Sequence, residues 1–69
     1  MSIHQNLKQL RVARGMTQEQ VASRLNLTRQ AISSYESGRT QPDIDTLMRL
    51  AEVYGVELDA ILYGQQENR

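Results

Sequence analysis

A group of polar side chains stands out within residues 27–38, LTRQAISSYESG. On a helical wheel, Arg29, Gln30, Ser33 and Ser34 share one face that spans about 140°. An arginine, an amide and two hydroxyls replace the glutamates and lysines that usually cover a solvated helix face. These groups form directed hydrogen bonds but include no nucleophile paired with a base, so the face predicts recognition rather than catalysis.

The composition narrows the possible classes of protein. The chain has 69 residues and no cysteine, which predicts one small domain without disulfides or thiolate–metal sites. Its single histidine, His4, makes no metal site alone and is expected to be exposed in the first turn of a helix. No apolar run approaches the roughly 20 residues of a membrane span, and no signal peptide is visible. We therefore expect a cytoplasmic protein that is not an enzyme, with no cofactor, no metal, no catalytic residues and no membrane partner.

The charge is zero overall but unevenly distributed. Residues 1–39 hold six basic and two acidic side chains, and residues 40–69 hold two basic and six acidic ones. The halves therefore carry +4 and −4, which favours a polyanion as the partner of the first half.

The spacing of apolar residues by three and four predicts helices throughout the chain, and no sustained alternation predicts a strand. Four glycines follow these stretches, as is typical just beyond helix C-termini. We predict helices at about 3–14, 18–25, 28–36, 44–54 and 57–63, followed by a polar tail at 65–69.

Only two residues separate the predicted second and third helices. Leu25 ends one helix and Thr28 is suited to cap the next, so only Asn26 and Leu27 make the turn. Asparagine tolerates the left-handed conformation that such a turn needs. A link this short forces the helices to cross steeply, as in a helix-turn-helix unit.

The chain resembles a known family at this point. The stretch at 18–37, QEQVASRLNLTRQAISSYES, is similar to the helix-turn-helix of phage repressors, Cro proteins and bacterial regulators of the xenobiotic-response-element family. Further similarity lies at 11–22, at 32–43 (ISSYESGRTQPD) and at 50–62 (LAEVYGVELDAIL). The resemblance implies an all-α, compact five-helix, lambda-repressor-like domain at 1–64 that binds double-stranded DNA. Asn26, where the family usually has glycine, and Glu57, where it often has Ser or Asp, depart from the pattern.

The resemblance assigns roles to the polar face and its surroundings. In the major groove, arginine pairs with guanine, glutamine with adenine, and serine with either kind of base or a phosphate. Arg29 has the alternative of a phosphate contact. The resemblance places a phosphate contact at Gln18, and Arg39 with Thr40 should lie along the DNA backbone. The candidate DNA-binding residues are Gln18, Thr28, Arg29, Gln30, Ser33, Ser34, Arg39 and Thr40.

Two further sets follow from the family pattern. Arg11 and Glu36 match an arginine and a glutamate that form an ion pair, which we expect to be partly buried and to fix the angle of helix 3. Apolar residues near the end of the chain either cap the core or form a two-fold interface: Val56, Leu58, Ile61, Leu62 and Tyr63. An interface this small predicts a weak homodimer, promoted by DNA, on a palindromic operator.

The leading prediction is a sequence-specific DNA-binding transcriptional regulator, a repressor, of bacterial or phage origin. The alternative is an antitoxin that binds a protein toxin through its acidic half and regulates its own operon. A structural helical domain without DNA contact is a third possibility, and the salt dependence of binding distinguishes it from the other two.

Overall fold

A computed structural model describes residues 2–64, which form five α-helices and no strand, and the predicted all-α class is confirmed. Each observed helix boundary lies within one residue of its prediction. The predicted tail at 65–69 lies outside the described residues. The helices are α1 (Ile3–Ala13), α2 (Gln18–Leu25), α3 (Arg29–Ser37), α4 (Ile44–Tyr54) and α5 (Leu58–Tyr63).

Side chains that precede the helices satisfy backbone N–H groups that have no partner within the first turn. Thr17 and Gln20 form a reciprocal capping box, in which each side chain accepts a hydrogen bond from the other's backbone N–H. Thr28 caps α3 by accepting from the backbone N–H of Ala31 at 3.1 Å. Glu57 precedes α5 without a side-chain cap bond. The short α5 consequently depends on packing for its stability.

The turn between α2 and α3 is made by Asn26 and Leu27. Asn26 is left-handed at φ 60°, the only non-glycine residue with positive φ among those described. The Leu27 N–H donates to the carbonyl of Ala22 at 2.9 Å, and the half-buried Leu27 side chain packs against the core. These contacts fix α3 against α2 at the corner.

A single apolar core joins the helices. The helix α3 packs on α1 and α2, while α5 packs on α1 and α4. The core side chains are Leu7, Leu10, Val21, Ala22, Leu25, Ile32, Leu47, Leu50, Ala51, Tyr54 and Ile61. No helix within residues 2–64 combines the length and the apolar content needed to cross a membrane.

Arginine side chains tie separate helices together through carbonyl groups. Arg14 Nε donates to the carbonyl of Tyr54 at 2.7 Å, at the end of α4. Arg49 donates a guanidinium N–H to the carbonyl of Leu25 at 3.1 Å, at the end of α2. Both cations lie at the negative end of a helix, where the last carbonyls lack backbone partners. These two arginines stabilise the fold that positions α3.

Candidate nucleic-acid interface

The outward face of α3 carries the polar side chains that the sequence singled out. Arg29 and Gln30 are exposed, whereas Ser33 and Ser34 are half-buried at the edge of the face. On the opposite side, Ile32 is enclosed in the core. The helix therefore presents a guanidinium and a primary amide outward, and both form paired, planar hydrogen bonds.

The chain continues past α3 in a tight turn that keeps two more polar side chains beside this face. Gly38 ends the helix at φ 82°, a left-handed conformation that favours glycine. The backbone N–H groups of Arg39 and Thr40 both donate to the carbonyl of Ser34, at 3.0 and 3.4 Å. The side chains of Arg39 and Thr40 are exposed. A second cation is thus held next to the end of α3.

Arg11 and Glu36 are brought together across the junction of α1 and α3. Arg11 Nε lies 2.7 Å from Glu36 Oε2, and the two side chains are 13% and 4% exposed. Arg11 also donates to the carbonyl of Met16 at 2.8 Å. The hydrogen bond with Glu36 raises the pKa of Arg11, so the guanidinium stays charged. The pair joins the last turn of α3 to α1.

Gln18 links the same carboxylate to the polar face. Its Nε2 donates to Glu36 Oε1 at 3.1 Å, and its Oε1 accepts from Arg29 at 3.4 Å. One amide hydrogen remains for another acceptor, because a primary amide carries two donors. Gln18, predicted as a phosphate contact, also braces Arg29 in the free protein.

The distribution of charge differs in detail from what the sequence suggested. Arg11 and Arg14 belong to the basic half, yet both bind groups within the protein. Exposed cations of that half include Lys8 and Arg24 as well as Arg29 and Arg39. No cluster of three metal-ligating side chains occurs among residues 2–64. Arg29 within α3 and Arg39 just beyond it are thus the exposed cations that belong to this helix and its C-terminal turn.

One residue of the predicted dimer surface is placed elsewhere. Ile61 is 0% exposed and belongs to the core of the single chain, so its assignment to an interface is wrong. The turn of α5 that holds Ile61 faces α1, where the buried Asn6 donates from Nδ2 to the Ile61 carbonyl at 2.8 Å. Tyr63 is 67% exposed, and the other three residues are half-buried: Val56, Leu58 and Leu62.

His4 also differs from its prediction. It is half-buried rather than exposed, and its imidazole lies against Gly38 at the end of α3. Local sequence gives no signal for this contact, because 34 positions separate the two residues and the fold alone brings them together. Asn6 was missed for a similar reason, since an asparagine in a helix is usually exposed.

The comparisons with known proteins agree with this geometry. The helix-turn-helix family model matches residues 7–61. The HTH-type transcriptional activator BcrR of Enterococcus faecalis is 36% identical over 66 residues, which are 96% of this chain and 32% of BcrR. The cryptic phage CTXphi transcriptional repressor RstR of Vibrio cholerae is 31% identical over 62 residues, which are 90% of this chain and 56% of RstR.

A solved structure shares the fold. The P22 c2 repressor, crystallised with a synthetic operator, superposes with a TM-score of 0.86 at 20% identity, covering 94% of this chain and 98% of that one. The chain spans about a third of BcrR and little more than half of RstR, so the match concerns only part of each. The family match establishes that this chain belongs to the helix-turn-helix family, and its five-helix fold is that of the P22 c2 repressor.

Proposed function

We propose that this chain is a sequence-specific DNA-binding transcriptional regulator that inserts α3 into the major groove of double-stranded DNA. The observation that carries the proposal is the outward face of α3, where Arg29 and Gln30 are exposed while Ile32 anchors the opposite side. A major groove about 12 Å wide accepts a helix and displays a distinct donor and acceptor pattern for each base pair.

The base-reading set consists of Arg29, Gln30, Ser33 and Ser34. Arg29 donates two parallel hydrogen bonds to guanine O6 and N7, and Gln30 bonds adenine N6 and N7. Each such pair contributes about 1–3 kcal/mol of discrimination against the wrong base. Ser33 and Ser34 are half-buried, so they contact only bases or phosphates close to the helix. Specificity therefore depends chiefly on Arg29 and Gln30.

The positioning set consists of Gln18, Thr28, Arg39 and Thr40. Gln18 has one free amide hydrogen for a phosphate while its other bonds hold Arg29 and Glu36. Thr28 lies at the positive end of α3, which also favours a phosphate. Arg39 and Thr40 extend the contact past the other end of the helix. Phosphate contacts of this kind set register and affinity without reading sequence.

The protein acts as a weak homodimer whose pairing is promoted by a palindromic operator. Support comes from Tyr63, which is exposed, and from the half-buried Val56, Leu58 and Leu62. Two protomers would then read half-sites about 34 Å apart, one turn of the duplex. Sedimentation of the protein with and without an operator duplex measures this directly. A monomer on a single half-site would contradict the dimer.

We further propose repression, acting on bacterial or phage DNA in the cytoplasm without a catalytic step. The named relatives include both an activator and a repressor. Repression needs no surface beyond the DNA interface, because a bound dimer that overlaps a promoter excludes polymerase by occupancy. A reporter with the selected operator across its promoter should lose expression when the chain is produced, and a rise in expression would contradict repression.

Selection from a random duplex library, followed by sequencing, tests the function as a whole. The expected result is an enriched palindrome whose half-sites are centred about 10 base pairs apart. Enrichment of no motif at low salt would refute sequence-specific binding.

A further inference from the structure

The imidazole of His4 occupies the space that a side chain at position 38 would fill. A Cβ atom built on Gly38 would lie 3.0 Å from His4 Nδ1, 3.1 Å from Cε1 and 3.2 Å from Cγ. Three ring atoms at such distances show that the ring lies flat over the glycine. The contact joins the first turn of α1 to the residue that ends α3.

The ring also contacts the residue that caps α1. His4 Nε2 lies 3.4 Å from the hydroxyl of Ser2, which caps α1 by accepting from the backbone N–H of Gln5. A cavity of about 200 Å³ beside the ring is lined by residues that include Tyr35, Thr40 and Pro42. His4 thus stands between a fixed helix terminus and the segment that connects α3 to α4.

The far end of that segment is anchored by the buried Pro42 and by Asp43, which caps α4. Residues 38–40 depend on other contacts. The N–H groups of Arg39 and Thr40 share one acceptor, the carbonyl of Ser34, and the second bond is long at 3.4 Å. The side chains of both residues project into solvent. Contact with the His4 ring therefore adds a lateral support at Gly38, where this segment begins.

We propose that His4 is a positioning residue for DNA binding, whose ring holds residues 38–40 so that Arg39 and Thr40 meet the phosphate backbone. The inference rests on the proposed function for the phosphate contacts, but the packing of His4 does not depend on it. Since phosphates carry no sequence information, loss of His4 should weaken binding to every duplex by a similar factor.

The variants His4→Ala and His4→Phe test the proposal, because phenylalanine keeps a flat ring and cannot carry a charge. In the free protein, His4→Ala should speed hydrogen exchange at the amides of Arg39 and Thr40, while His4→Phe should restore protection. Unchanged exchange in His4→Ala would overturn the proposal. Faster exchange across all helices would show that His4 stabilises the whole domain rather than positioning residues 38–40, and would also overturn the proposal. Val12→Ala, at an exposed site on α1, is the matched control.

Binding is then measured with the selected operator and with sheared genomic DNA. His4→Ala should weaken both by roughly three- to tenfold, the loss expected when a phosphate contact is loosened by about as much as one ordinary hydrogen bond contributes. It should also reduce the slope of log K against log salt by up to about 0.9, the value for one phosphate. His4→Phe should bind like the wild type from pH 5.5 to 8. A wild-type gain at low pH that His4→Phe lacks would assign the effect to charge and overturn positioning by packing.

The two readouts separate failure of this inference from failure of the proposed function. If the wild type binds no duplex, the proposed function fails and the DNA role of His4 fails with it, whatever the exchange data show. If the wild type binds but His4→Ala binds equally well, only the role of His4 is refuted.

Discussion

The substitution Arg11→Met removes the cation from an ion pair that is almost fully enclosed. Glu36 is 4% exposed and would keep only the amide of Gln18 as a hydrogen-bond partner, at 3.1 Å. Removing one partner of a buried pair costs about 3–5 kcal/mol, whereas an exposed pair contributes about 0–1 kcal/mol. The low exposure of Glu36 places Arg11→Met in the upper part of the first range. Glu36→Leu should cost somewhat less, about 3 kcal/mol, because Arg11 is 13% exposed and keeps the Met16 carbonyl.

Such losses are large for a chain of this length. A domain of 69 residues has a free energy of unfolding of roughly 3–10 kcal/mol. At about 4–8 °C per kcal/mol, a loss of about 4–5 kcal/mol in Arg11→Met should lower the melting temperature by roughly 16–40 °C. Urea denaturation followed by circular dichroism measures the free energy, and added trimethylamine oxide keeps weak variants folded at the start of the titration.

The double variant Arg11→Met/Glu36→Leu distinguishes a buried charge from a lost contact. It removes both charges and leaves an apolar pair, so its loss should be only about 1–3 kcal/mol, from the partners abandoned at Gln18 and Met16. The double loss should therefore fall several kcal/mol below the sum of the single losses. Arg14→Met is the matched control, because Arg14 is an exposed arginine at the C-cap of α1 that bonds a carbonyl rather than a carboxylate. Small single losses that add in the double variant would refute the buried-pair reasoning.

Three other predictions concern the core, the end of α3 and the DNA backbone. Burial, with a smaller contribution from the charge of Glu36, raises the pKa of Tyr54 to about 12. The unfolded phenol loses its proton near pH 10, so the unfolded chain binds fewer protons between pH 10 and 12 and stability falls there as pH rises, by up to about 2–3 kcal/mol. Tyr54→Phe should abolish that component in denaturation measured from pH 7 to 12. At pH 7 it should be neutral or slightly stabilising, because the Tyr54 hydroxyl is buried without a partner. Gly38→Ala should lower the free energy of unfolding by about 2–3 kcal/mol in urea denaturation, and Gly55→Ala by about 1 kcal/mol. Both glycines have positive φ, but only a Cβ at position 38 would have the His4 ring within 4 Å. Equal losses would contradict the contact. In fluorescence anisotropy titrations, Arg39→Ala should weaken binding to all duplexes similarly and lower the slope of log K against log salt by about 1. The control is Arg24→Ala, which lies in a groove beside Gly15 and Met16 and should change the slope less.

The sequence predicted most of the local structure, because local rules control it. The Thr28 cap of α3 and the left-handed Asn26 were predicted from short patterns, and both are present. The polar and apolar faces of α3 followed from helical periodicity in the same way. Features of this kind depend on residues a few positions apart.

Long-range contacts account for what the sequence could not predict. Periodicity shows that Ile61 lies on an apolar stripe, but not whether that stripe faces the core or a second chain. The sequence suggests that Arg14 belongs to a basic surface, whereas in the structure it donates to the Tyr54 carbonyl, 40 positions away. His4 and Gly38 are close only because α1 crosses the end of α3. These partners depend on packing angles that no short pattern encodes.

Paired selections with the wild type and Arg29→Ala test whether the outward face of α3 reads bases. Arg29 is exposed and makes one long bond within the protein, 3.4 Å to Gln18, so its loss should leave the fold intact. Arg29→Ala should recover the wild-type motif with preference relaxed at one guanine in each half-site. An unchanged motif, with affinity lowered equally for all sequences, would contradict this expectation and make Arg29 a phosphate contact.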